Sequence, residues 1–151
     1  MTFTEVPFCR RTQIGSISAI ALANPNSFRS NEISFVAGTG LEENNKISLF
    51  NMTISKSMND VFMEQSSMSS FFDLKMLDTK RTDSLIEDLS WMPGTYSAIV
   101  AATFNGLDFY KMIPDSGQLE KTGSWSSPES ALSVSTDYNS QCSASALKNG
   151  S

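Results

Sequence analysis

The chain of 151 residues contains no histidine, which removes the commonest general base and a leading metal ligand from consideration. A Ser-His-Asp triad is therefore excluded, and no Gly-x-Ser-x-Gly elbow occurs in a strand-turn-helix setting. Cysteine is scarce as well. Cys9 and Cys142 stand far apart, form no C-x-x-C or metal-ligand spacing, and Cys142 lies in a small-apolar stretch that reads as a buried thiol rather than half of a bridge. Gly38-Thr39-Gly40 lacks the third glycine and the following helix of a phosphate loop, so it reads as turn geometry. Glu87 and Asp88 are neighbours and so fall on opposite faces of a strand, where they cannot act as an acid-base pair. These absences predict a protein that is not an enzyme and that carries neither cofactor nor metal.

Positive charge is also in short supply. Eleven Lys and Arg against sixteen Asp and Glu give a net charge of −5, which disfavours direct nucleic-acid binding, since phosphate backbones require clustered basic residues. Arg10-Arg11 reads as a solvated loop pair. No window reaches the eighteen or so apolar residues of a spanning helix, so membrane insertion and small-molecule chemistry are both absent from the expectation. The opening Met1-Thr2-Phe3-Thr4-Glu5 lacks the basic flank and apolar core of a secretory signal. An intracellular protein is expected, and the Asn51-Met52-Thr53 glycosylation pattern then has no route to use.

What is present is a repeat. Phe35-Val36-Ala37-Gly38-Thr39 followed by Lys46-Ile47-Ser48-Leu49-Phe50 returns as Ile99-Val100-Ala101-Ala102-Thr103 followed by Leu107-Asp108-Phe109-Tyr110. Each copy is a β-rich apolar run, a break of Gly and Asn, and a second run ending in aromatics. A third partial copy begins at Cys142 and reaches Asn149-Gly150-Ser151, which predicts a chain that stops within a repeat. The turn glycine Gly106 recurs as Gly150, a separation within the roughly 40 to 45 residues of one propeller blade.

The local patterns agree with that period. Ile14, Ile17, Ala19 and Ala21 suit a strand closed by the Asn24-Pro25-Asn26-Ser27 turn. Residues 33–39 and 46–52 read as a hairpin across a polar connection, an outer strand is expected near Val61-Phe62-Met63, and residues 71–80 read as a further strand. From Ser84 to Trp91 the alternation continues, Met92-Pro93-Gly94-Thr95 supplies a turn, and Ala98 to Thr103 reads as a strand buried on both faces. Asn105-Gly106 is a strong hairpin signal, Pro114-Asp115-Ser116-Gly117 turns again, and a polar fourth strand runs from Gln118 to Trp125. The domain reading is an irregular lead-in over 1–12, a first blade over 13–70, a second blade with an extra leading strand over 71–128, and the start of a third blade over 129–151. The fold class expected is all-β: an incomplete β-propeller of about two to three blades of four-stranded antiparallel sheet.

The order of phrases in residues 85–125 resembles a blade of the WD-repeat family. Phe109-Tyr110-Lys111 stands where the Trp-Asp pair would lie, and the Gly-His pair has no histidine, so the Asp-His-Ser/Thr-Trp network of many such blades cannot form as usual. Within the family the phrases are most similar to WD-repeat nucleoporins of the Y-shaped nuclear pore scaffold, and residues 14–151 match the front part of such a chain. That resemblance implies a non-enzymatic scaffold at the nuclear pore, in the nucleus, with other pore scaffold subunits as partners. The alternative is a cytoplasmic WD-repeat adaptor that presents substrates to an enzyme, as in a methylosome, or that acts in vesicle tethering. Among the aromatics, Trp91, Phe104 and Phe109 read as core between blades. Trp125, after a polar strand and before Ser126-Ser127-Pro128, is the candidate interface residue. The Met-rich stretch of Met52, Met58, Met63, Met68 and Met76 reads as gap-filling beneath a long loop.

Overall fold

The computed structural model describes residues 17–23, 32–39, 45–54, 72–92, 97–113, 115–137 and 143–150, and every regular element among them is a strand. The first sheet is an up-and-down meander of β1 (Ile17–Leu22), β2 (Glu32–Thr39), β3 (Lys46–Ile54) and β4 (Phe72–Arg81), each antiparallel to the next. The second repeats it with β5 (Ile86–Trp91), β6 (Ala98–Thr103), β7 (Gly106–Ile113) and β8 (Gln118–Ser126). A third sheet pairs β9 (Ala131–Thr136) with β10 (Ser143–Leu147).

The two echoed phrases occupy equivalent places, as the two middle strands of their sheets. Both faces of a middle strand are covered in a stack of sheets, which is why β6, Ala-Ile-Val-Ala-Ala-Thr, carries apolar side chains at successive positions instead of alternating with polar ones. The hairpin between β6 and β7 sits one residue earlier than Asn105-Gly106 implies. Phe104 and Asn105 form the loop, and Gly106 opens β7 opposite Thr103 with φ at 123°. A Cβ at Gly106 would collide with the carbonyl oxygen of Trp125, so glycine is required both for the backbone angle and for the approach of β8. Thr103 Oγ1 braces the turn by donating to the Gly106 carbonyl at 3.0 Å.

Two corrections to strand and core placement follow. The strand expected over residues 71–80 exists, but it hydrogen-bonds to β3 along its length and is the fourth strand of the first sheet, not a leading strand of the second. Its period of two is visible in sequence, whereas its partner is chosen by register across a long connection. Phe104, read as core, is 59% exposed because it lies in the hairpin loop. The strand expected near Val61-Phe62-Met63, the lead-in over 1–12, both cysteines, and Met58, Met63 and Met68 fall outside the described residues.

The sheets stack face to face about their first strands. β1 packs against β5 and β5 against β9, while the outermost strands β4 and β8 touch more lightly, so the sheets radiate from one line of inner strands. Between the first and second sheets lies an apolar core of Ala21, Val36, Ile47 and Leu49 against Ile86, Leu89, Trp91, Ile99, Tyr110 and Leu119. A smaller core of Val100, Ala102 and Leu107 against Ala131 and Val134 joins the second sheet to the third. Each fully buried aliphatic in these layers contributes about 1.5–3 kcal/mol relative to exposure. Trp91 is core as expected, and Phe109 packs half-buried against the second layer.

Candidate interaction surface

Among the described residues no group of three or more Cys, Asp or Glu side chains is placed to hold a metal ion, and no helix is long and apolar enough to cross a membrane. The carboxylates serve the packing of sheet on sheet. Asp78, on the outermost strand of the first sheet, reaches across to accept the backbone N–H of Leu119 on β8 at 2.8 Å through Oδ2, while its Oδ1 accepts the N–H of Thr79. Burial pushes its pKa upward. The two N–H donors and the nearby Lys80 ammonium outweigh that, and the carboxyl is held below its ordinary value.

Asp88 does the same work at the inner end of the next interface. Its Oδ2 accepts both the Val134 N–H at 3.0 Å and the Ser133 hydroxyl at 2.8 Å, and its Oδ1 accepts the Leu89 N–H. Ser90 and Thr136 exchange a hydroxyl hydrogen bond at 3.0 Å beside it. Glu87, its sequence neighbour, takes no part in this clamp, as expected from strand alternation.

The WD-type network is replaced by a different one. Asp108, buried on β7, receives the Lys121 ammonium at 2.9 Å and the Tyr110 hydroxyl at 3.4 Å, and Lys121 also approaches Asp83 at 3.5 Å. Burial, then the Asp108 charge, push the Tyr110 hydroxyl far above its usual range. Desolvation pulls Lys121 down, but its hydrogen bond to Asp108 and the charges of Asp108 and Asp83 win, so its ammonium persists above the usual lysine value. The effect is to tie β8, otherwise exposed at almost every position, to the sheet it borders.

Trp125 and Phe104 lie at the same end of the second sheet. Trp125 stands opposite Leu107 on β8, and Phe104 sits in the hairpin immediately before Gly106. The Ser127 N–H donates to the Asn105 carbonyl at 3.0 Å, binding the end of β8 to that hairpin. Trp125 is 48% exposed, so two large aromatic side chains share one sheet end without being spent on the core. Of this pair, sequence reading singled out Trp125 and assigned Phe104 to the core. The dipeptide Phe104-Asn105 held the missed signal, because a two-residue loop presents both its side chains outward.

The geometry defines a β-propeller-type protein: four-stranded antiparallel sheets stacked radially about their first strands. Solved structures carry the same arrangement. A chain in the structure titled "COPII on membranes, outer coat vertex" matches with a TM-score of 0.58 at 19% identity, over 90% of this chain and 33% of that one. A chain in "The structure of the COPII coat assembled on membranes" matches with the same score and identity, over 90% of this chain and 18% of that one. This chain thus spans a third or less of the chains it resembles, and the likeness establishes the fold. No known family description matches the sequence, and no curated protein is similar to it.

The expected placement at the nuclear pore is corrected by these findings. The similar structures are of COPII coats on membranes, which points away from a nuclear, pore-bound location. The phrases that suggested the nucleoporins, such as Phe35 to Phe50, are those that build the middle strands of a propeller sheet. They report the fold, because any chain that must bury both faces of β2 and β3 converges on similar residues.

Proposed function

We propose that this protein is a non-enzymatic β-propeller scaffold that docks other proteins, in an assembly of the vesicle-coat or vesicle-tethering kind. The observation that carries the reading is the match of 90% of the chain to chains from COPII coat structures. Its chemistry is consistent with that role. The described carboxylates are engaged in sheet-to-sheet hydrogen bonds and ion pairs, and the rigid radial stack presents many surfaces with few exposed edges. Trp125, with Phe104 beside it at the same sheet end, is the proposed anchor, since exposed aromatics on a rigid element lose little entropy on binding and dominate hot spots.

Proximity labelling in cells, followed by mass spectrometry, tests the reading. Enrichment of vesicle-coat or tethering proteins, reduced by Trp125→Ala, is the expected result. Enrichment of a methyltransferase complex, or labelling unchanged by the substitution, would count against the coat reading and the anchor respectively.

A further inference from the structure

The interface between the first two sheets follows a rule of size. At the inner strands, the first sheet offers Ala19, Ala21 and Ala23, and the second answers with Ile86, Leu89 and Trp91. The fit is close: a Cβ added to Gly38, the β2 partner of Ala19, would come within 2.9 Å of Ile86 Cβ and Cγ2. A small-residue face thus receives a large-residue face, and the inner strands approach as nearly as their backbones permit.

The two outer faces of the described stack repeat that division. On the far side of β1, in register with Thr39, Ala37 and Phe35, stand Ile17, Ile20 and Leu22, which are 52%, 56% and 63% exposed. Farther out on the same face Ala37, Ser48 and Phe50 are buried, so the opening is confined to the inner strand and to Leu74 and Met76 on β4. On the far side of the third sheet, away from Val134 and Leu147, the exposed residues are Ala144 and Ala146, with Ser135 paired to Ala144. One end of the stack is large and apolar at its inner strand, and the other is small.

We propose that this chain associates head to tail with a second copy, the Ile17-Ile20-Leu22 face of one copy seating on the Ala144-Ala146 face of the other. The contact reproduces between copies the small-on-large packing already present within the chain at Ala19-Ala21 and Ile86-Leu89. It is heterologous, because two different surfaces meet, and such contacts either close into a ring or propagate. Three described sheets per copy place a closed pair within the range of about four to eight blades that propellers use. Burying three half-exposed aliphatics on each side supplies the driving force. The inference does not depend on which assembly the protein serves.

Size-exclusion chromatography with light scattering on the 151-residue chain, across the micromolar range, provides the test. A two-copy mass is expected, and Leu22→Lys should raise the concentration at which it dissociates by at least about tenfold, because the lysine charge would have to be buried unpaired. Ala146→Arg, on the opposite face, should do the same. Mixing the two variants should restore a pair, since the mixture retains one unaltered large face and one unaltered small face. Far-ultraviolet circular dichroism of each variant confirms that the strands persist. A wild-type mass of one copy at every concentration overturns the proposal, and so does a pair that survives Ala146→Arg, which would mean that two large faces meet each other instead.

Discussion

The two interfaces between successive sheets are held together in different ways. The first, between the β1–β4 and β5–β8 sheets, is wide and aliphatic, with Ile47, Leu49, Ile86 and Ile99 almost wholly buried and a single carboxylate clamp, Asp78 to Leu119, at its outer edge. The second, between β5–β8 and β9–β10, buries smaller side chains and concentrates its hydrogen bonds at the inner strands, where Asp88, Ser90, Ser133, Val134 and Thr136 meet. Area dominates one and directed bonds the other. The lesson is that sheets of one repeat are not interchangeable: stability scales with aliphatic volume at the first junction and with intact polar partners at the second.

Cavity-forming substitutions sharpen this contrast most. Leu49→Ala at the first interface is expected to cost about 2–5 kcal/mol, and Val134→Ala at the second about 2 kcal/mol, read from urea midpoints. Asp88→Ala should reverse the ranking for polar changes. It strands the Val134 N–H and Ser133 hydroxyl together, and a loss of about 1–3 kcal/mol is expected, with hydrogen exchange accelerating first in β9.

The pH dependence separates the two sheet ends further. Asp78 has a folded pKa below its ordinary value of 3.8, so the stability it contributes is present above that value and is lost as pH falls through the lowered one. Asp78→Asn should therefore flatten the acid limb of the stability curve. Lys121 and Tyr110 have folded pKa values raised above 10.5 and 10.0, so their contribution is complete below those values and is lost as pH climbs through the raised ones. Thermal melts of wild type should fall from about pH 10 upward, and Tyr110→Phe should soften that fall. The smallest effect on folding belongs to Trp125→Ala, within about 0.5 kcal/mol. The same change is expected to weaken capture of a partner that docks there by more than about 1 kcal/mol in a titration.

Much of each sheet was legible from its residues. The small-apolar run of β6 announces burial on both faces, the glycine at 106 announces the turn into β7, and the polar alternation of β8 announces an outer strand. Less legible was the allegiance of β4, whose residues say strand but not which neighbour. Asp78 likewise reads as one surface carboxylate among many until β8 brings the Leu119 N–H to it across 41 positions of sequence. Trp125 could be placed on an exposed strand beforehand, whereas Phe104 could not be told from core without knowing which two residues form the loop.

Read alone, the amino-acid order determined what is local: strand periodicity, turn positions, the return of one phrase at a blade's length, and the want of catalytic groups. Those follow from side-chain alternation and backbone preference over a few neighbouring positions. Tertiary structure decided which strand closes each sheet, which carboxylate meets which amide, and which aliphatic faces are left open at the two ends of the stack. Such outcomes depend on the register and stacking of segments remote in sequence, where packing and hydrogen-bond geometry, not local preference, select among otherwise equivalent partners.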